Sequence, residues 1–313
     1  MDRLSYYAAR RIPFLFVIDY TKRHIFAEPL EKLRNIHFKV PGFRNYSLPP
    51  KIYPKIVEKN PISFVNYKKA FDYVQHEIRA GNTYLLNLTF PTPIRTTHNL
   101  EEIFFAVQAK FKLYFQGRFI CFSPERFVRI AGDTIATYPM KGTIDATLPN
   151  AKERILADAK EMAEHVMVVD LLRNDLSMVA SHVRVQRFRY VDRIRAGTKE
   201  LLQVSSEITG KLPDNWRSRL GEIFDALLPA GSVTGAPKSS TCRIIEKAEG
   251  YERGFYTGVF GYFDGVHLDS AVMIRYIERT PQGLVYKSGG GITIDSDARS
   301  EYRELIDKIY LPL

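Results

Sequence analysis

Three strand-like segments follow one another with almost nothing between them: Phe255 to Phe263, His267 to Glu278 and Leu284 to Ser288, joined by Asp264-Gly265 and by Pro281-Gln282-Gly283. Such short turns link antiparallel neighbours, because a parallel crossover needs a dozen or more residues. The segment reads as a β-meander, and the fold has to be built around antiparallel pairing. Phe119 to Thr137 reads as a hairpin turning at Ala131 to Asp133, and Thr83 to Phe90 as a further strand.

Long helical patterns punctuate these strands. One begins near Asn66, with Tyr67, Phe71, Val74 and Ile78 on one stripe and Gly81 as its stop. A second starts after Asn150, where Glu153 has the spacing of a capping box and Ile155, Ala159, Met162, Val166 and Val169 form the stripe. Asp297 caps a last helix whose buried face carries Tyr302, Leu305, Ile306 and Ile309. The regular alternation of a doubly wound parallel sheet is missing, so the fold class is α+β. In the first 60 residues, Pro13, Pro41, Pro49, Pro50, Pro54 and Pro61 break any long element and leave short strands and loops. The apolar run Ile12 to Ile18 ends directly at Asp19 and reads as a buried strand, not as the core of a signal peptide.

With 313 residues, 45% of them hydrophobic, the chain can bury one large core or two fused ones. No apolar run approaches the roughly 20 residues of a membrane span. Cys121 and Cys242 are far apart and outside any C-x-x-C spacing, which excludes a disulfide framework or structural zinc and suits a reducing cytoplasm. The formal charge of +10 is dispersed, without a run of five like charges or a recognition motif, so nucleic-acid binding is not the expectation. A small anionic substrate or an acidic partner subunit accounts for the excess equally well.

Several residues can carry chemistry. Glu161 and Glu164 are three apart on one helix, and Glu301 and Glu304 repeat that spacing on the last one, so each pair shares a face. Such pairs either are solvated or are neutralised by a divalent cation, and oxygen-only ligands favour magnesium over zinc. The run Leu228-Pro-Ala-Gly-Ser-Val-Thr-Gly-Ala-Pro-Lys238 opens a helix through Ile244, Ile245 and Ala248, with Pro237 at a first helical position. It reads either as an anion cradle or as a plain turn; the P-loop spacing is not met. Gly289-Gly290-Gly291 similarly lets backbone face a ligand or forms a loop. Lys141, in Tyr138-Pro-Met-Lys-Gly-Thr143, is a surface lysine unless it enters a closed cavity, where desolvation would lower its pKa and free the amine as a nucleophile. Glu125, read as lying across the same hairpin, is either a general acid or a turn residue paired with Arg126. The seven histidines show no metal spacing, and no G-x-S-x-G elbow occurs.

In this order, the segments AGNTYLLNLTF, SPERFVRI, YPMKGT, KEMAEHVMVVDLLRNDLSMV, LLPAGSVTGAPK, GFYTGVFGYFDG, VMIRY and GGGITIDSDARSEYRELIDK resemble the chorismate-utilising enzymes, over about residues 66–308. That family includes anthranilate, aminodeoxychorismate, isochorismate and salicylate synthases. The resemblance implies one catalytic unit over residues 1–313, abbreviated over 1–60, built as two packed antiparallel sheets with helices outside. It implies that Glu161, Glu164, Glu301 and Glu304 surround a magnesium ion holding the ring carboxylate of chorismate. Gly142, Thr143, Gly290, Gly291, Arg275 and Tyr256 are expected around the substrate carboxylates, and Glu125 matches the catalytic acid.

Lys141 stands where anthranilate synthases have alanine and one subgroup of aminodeoxychorismate synthases has lysine. The implied activity is amination of chorismate to 4-amino-4-deoxychorismate for 4-aminobenzoate and folate synthesis, through a covalent intermediate on Lys141. Leu85 replaces the lysine base of the water-adding relatives, and Gln203 stands where the amino-transferring enzymes usually have histidine. The short N-terminal portion implies no tryptophan feedback. Neither cysteine has a glutaminase setting, so ammonia is expected from a separate glutamine amidotransferase subunit or from solution. The rivals are anthranilate synthase component I and a catalytically silent chorismate-binding subunit.

Overall fold

A computed structural model describes residues 1–47, 51–196 and 199–313; Pro49 and Pro50 lie outside them. Two antiparallel sheets, each of nine strands among the described residues, form the centre of the molecule. The first passes in order through Lys199–Lys211, Thr134–Thr137, Arg126–Ala131, Leu268–Val272, Val259–Phe263, Phe14–Ile18 and Ile25–Pro29. Met140–Asp145 and Ser181–Ala196 also pair with Lys199–Lys211. The second passes through Gly235–Ala236, Leu85–Thr96, Gly283–Ile292, Tyr276–Thr280, Phe119–Ser123, Phe111–Phe115, Ile36–Val40 and Phe43–Arg44, with Ile56–Lys59 beside Leu85–Thr96.

The run Phe14–Ile18 shows why the layers form. Its five side chains are all buried, Leu15 and Val17 among Phe38, Phe260 and Tyr276 between the sheets, Phe14, Phe16 and Ile18 on the opposite face with Leu172 and Phe224. A strand covered on both faces reads as continuous apolar sequence rather than as alternation. Burying each phenylalanine contributes roughly 1.5–3 kcal/mol. On the far side of the second sheet, Leu86, Leu88 and Ile292 meet Tyr67, Phe71, Ile244 and Leu305 from three helices. The order helix, sheet, sheet, helix is the expected α+β sandwich.

Local signals account for the helix ends. Ser63 Oγ accepts from Asn66 N and starts Phe64–Arg79, with Tyr67, Phe71, Val74 and Ile78 buried as expected and Gly81 at φ +77° just beyond its end. Asp297 Oδ1 accepts from Ser300 N at the start of Ala298–Asp307. After Asn150 the chain departs from expectation. Two helices form, Ala151–Ala157 and Ala159–Ser177, because Asp158 leaves the helical conformation and caps the second through Glu161 N. Asn150 is left-handed and makes no side-chain cap. The buried stripe of the second helix is His165, Val168, Val169, Leu172 and Leu176, while Met162 and Val166 are exposed. Pro237 is the N-cap of Lys238–Glu249, one position before the first turn.

The expected turns at Ala131 to Asp133, Asp264-Gly265 and Pro281-Gln282-Gly283 each join antiparallel neighbours, but the hairpin and the meander are not continuous. Phe119–Ser123 belongs to the second sheet and Arg126–Ala131 to the first, so the chain changes sheets at Pro124-Glu125. The C-terminal strands split in the same way, with Leu268–Val272 in the first sheet and Tyr276–Thr280 in the second. These two crossings lie side by side: Val272 N donates to Glu125 O at 3.2 Å and Phe122 N to Arg275 O at 3.1 Å. Short-range turn signals fix pairing between consecutive strands but carry no mark of the sheet to which each strand goes.

Candidate active site

The paired crossings place Glu125 and Arg275 at the wall of a cavity of about 290 Å³ between the sheets. Glu125, Lys141, Gly142, Thr143, Tyr256, Arg275, Gly291 and Glu304 line it. The remaining expected residues gather just behind that lining. Glu164 Oε2 accepts from Lys141 Nζ at 2.7 Å. A Cβ on Gly290 would stand 3.4 Å from both Glu301 Oε2 and Glu304 Oε1, and one on Gly142 would stand 3.3 Å from Glu161 Oε2. Two helices from distant parts of the chain thus bring all four carboxylates to one end of the cavity, and glycines leave room for them.

Lys141 comes from Met140–Asp145, which pairs with Lys199–Lys211 and not with the strand after Glu125, so the two residues do not share a hairpin. Its titration also departs from the expectation. Burial disfavours its charge, but Glu164, Glu161 and Glu304 outweigh that and hold the pKa above the usual lysine range. Burial pushes the Glu125 carboxyl above the usual range, against the lowering effects of the Ser232 hydroxyl, Lys141, Arg275 and Lys308. The alternative pairing with Arg126 is not made, since Arg126 forms a bidentate pair with Asp269 at 2.6 and 2.8 Å.

Arg275 has a buried Nε without a partner among the described residues, an orphan donor that an anionic oxygen would satisfy. Its backbone is left-handed, at φ +52°, where the chain leaves the crossing. Tyr256 is buried beside it in the lining, and Leu85, facing Gly291, adds an apolar wall. Gln203 pairs with Thr143 across the strands and reaches both this cavity and a neighbouring one of about 410 Å³.

Sequence reasoning missed two contributors. Ser232, within the glycine-rich run, donates its hydroxyl to Glu125 Oε1, a contact between residues with no local signal connecting them. Lys308 pairs with Glu304 at 2.5 Å, which the i,i+4 spacing would have shown. Lys238, at the end of the same run, turns away to Asp175 at 3.1 Å and to Leu227 O. The backbone from Gly231 to Gly235 nevertheless lines the cavity, and Gly235, at φ +126°, packs where a Cβ would meet Leu85 O at 1.8 Å.

An all-oxygen donor set of four glutamates suits a hard divalent cation. As the side chains stand, no three such groups among the described residues are close enough to hold an ion, and lysines engage Glu164 and Glu304 instead. Among the described residues, no helix is long and apolar enough to cross a membrane.

Residues 30–313 match the family described as chorismate binding enzyme. A protein of Haemophilus influenzae named PabA-like is 49% identical over the whole chain and 96% of its own length. Aminodeoxychorismate synthase component 1 of Bacillus subtilis is 31% identical over 80% of this chain, which spans only 55% of that relative. Anthranilate synthase component I of Streptococcus pneumoniae superposes with a TM-score of 0.69 at 27% identity, over 83% of this chain and 59% of its own. The fold, the convergent cavity and these likenesses make the chain a member of the chorismate-binding enzyme family.

Proposed function

We propose that this chain is an aminodeoxychorismate synthase component I, converting chorismate and ammonia to 4-amino-4-deoxychorismate. The observation that carries the reading is that Lys141 and Glu125 open into one cavity, with Leu85, not a basic side chain, on the wall near the lysine. The amine of Lys141 would add at C2 of the ring as the double bond shifts and the C4 hydroxyl leaves. Glu125 would give that hydroxyl its proton, so that it departs as water. Ammonia would then add at C4, the double bond would shift back, and Lys141 would leave C2 as the amine.

Lys141 would first have to lose a proton, and Glu164, whose Oε2 accepts from it at 2.7 Å, would take that proton. Arg275 would bind a substrate carboxylate through its unpartnered Nε, with Tyr256 and the Gly142-Thr143 and Gly290-Gly291 backbone shaping the pocket. Glu161, Glu164, Glu301 and Glu304 would hold magnesium, which would supply positive charge for the ring carboxylate. A separate glutamine amidotransferase subunit would supply the ammonia.

The test is incubation of the purified chain with chorismate, magnesium and ammonium at mildly alkaline pH, with the product identified by chromatography and mass. Formation of 4-amino-4-deoxychorismate without pyruvate supports the proposal. Anthranilate with pyruvate overturns it in favour of 2-amination, and no turnover even with an amidotransferase subunit overturns it in favour of a silent subunit.

A further inference from the structure

Three cations stand in one row on the outer face of the second sheet, and none of them lines the two cavities above. Lys39 lies directly opposite Arg44 on one neighbouring strand and opposite Lys112 on the other. Directly opposed residues share a face of the sheet, so the three side chains project together. The row grades from an exposed Arg44 through a half-buried Lys39 to Lys112, whose exposure is 3%.

Among the described residues, their surroundings supply dipoles and rings but no countercharge. Lys112 Nζ donates to Val107 O at 2.7 Å and lies 4.5 Å from the Phe104 ring and 5.5 Å from that of Tyr46. Lys39 Nζ donates to Ala109 O at 2.9 Å. Among the described residues, none of the three forms an ion pair; Glu101, on the same side, is 3.5 Å from His37 instead. Like charges facing one another across a ladder destabilise it. Burial first, then Lys39 and Arg44, lower the Lys112 pKa to about 7, and burial with Arg44 lowers that of Lys39. Each lysine keeps two N–H groups beyond the one given to a carbonyl. An anion seated across the row would neutralise the repulsion and use those donors in charge-assisted hydrogen bonds.

We propose that Lys39, Arg44 and Lys112 form a binding site, separate from the active-site cavity, for a small doubly charged oxyanion. The competing account is a structural row in which Lys112 is simply neutral.

Thermal unfolding of the full chain at pH 7 separates the two, with inorganic phosphate or succinate titrated against sodium chloride at matched ionic strength. Phosphate or succinate is expected to raise the unfolding temperature of the wild type saturably, by mass action on the folded state. A phosphate response assigns a phosphoryl ligand, and a response to succinate alone a dicarboxylate. Lys112→Met keeps side-chain length and removes a buried charge, so it should fold, and its apparent affinity should fall by about tenfold or more. Lys39→Met should behave alike, while Arg275→Met, in the cavity, should leave the response within about twofold. No rise beyond chloride in the wild type overturns the proposal. So does a response lost in Arg275→Met but retained in both lysine variants.

Discussion

Lys141 Nζ and Glu164 Oε2 lie 2.7 Å apart at the end of the cavity where two helices present their carboxylates. That contact joins the only lysine of the Met140–Asp145 strand to the helix Ala159–Ser177, and it makes the charge on Lys141 a property of its neighbours. A nucleophilic role predicts that Lys141→Ala loses more 4-amination than Glu125→Gln does, since the covalent route itself disappears. Because alanine is what anthranilate synthases carry there, the variant is also expected to yield some anthranilate. Mass analysis of its products checks both points, and an unchanged rate with an unchanged product would remove Lys141 from the chemistry.

Under the proposed mechanism Glu125 has to be protonated to release the C4 hydroxyl, so kcat/KM should fall as pH rises through its folded-state pKa, which burial holds above the usual carboxylate range. The Ser232 hydroxyl donates to the carboxylate and favours its charged form. Ser232→Ala should therefore raise the Glu125 pKa further and shift the descending limb of kcat/KM to higher pH. Glu125→Gln should lower kcat by on the order of 10²–10⁴-fold, the range for a positioned general acid. A limb that stays in place in Ser232→Ala, with the fold intact by circular dichroism, would separate that limb from Glu125.

Two of the four glutamates, Glu164 and Glu304, are paired with Lys141 and Lys308. If the four bind magnesium, the ion should stabilise the folded chain by about 2.7 kcal/mol at a hundredfold excess over its dissociation constant. The doubly substituted Glu301→Gln, Glu304→Gln chain should lose that increment. Thermal unfolding with and without magnesium measures it independently of turnover, and equal shifts in both proteins would mean that the ion binds elsewhere.

How much of this was legible in the sequence divides along a physical line. Features set by neighbours in sequence were readable: the stripe Tyr67, Phe71, Val74 and Ile78 with its stop at Gly81, the cap at Asp297, the buried run Phe14–Ile18, and the paired spacings of Glu161 with Glu164 and Glu301 with Glu304. Features set by where strands go in space were not. The crossings at Glu125 and Arg275 look from the sequence like interiors of a hairpin and a meander, although they carry an acid and a cation to the cavity. Asp158 illustrates a third case. One helix was expected from Asn150, but a second begins at Asp158, which caps it through Glu161 N, and the buried stripe lies on Val168 and Leu172 instead of Met162 and Val166. The raised pKa values of both Lys141 and Glu125 required the full set of surrounding charges and their burial, which local spacing cannot supply.

The loop that carries Ser232 is itself held by a buried ion pair, and its removal makes the last prediction. Arg253 meets Glu249 through Nε at 2.9 Å and Nη2 at 2.6 Å, with both side chains at most 2% exposed. The same guanidinium donates to Val233 O at 2.8 Å and to Asn87 O at 2.6 Å, tying the loop to the strand Leu85–Thr96. Glu249 Oε1 also accepts from Thr89 N at 2.8 Å. Taking away one partner leaves an uncompensated buried charge, so Arg253→Met should destabilise the fold by about 3–5 kcal/mol. The double change Glu249→Leu with Arg253→Met removes both charges and should cost less than the sum of the single changes. Urea unfolding midpoints, read where the slope is unchanged, measure all three variants. A loss below about 1 kcal/mol in Arg253→Met would mean that water reaches the orphaned carboxylate and that the pair does not hold the loop in place.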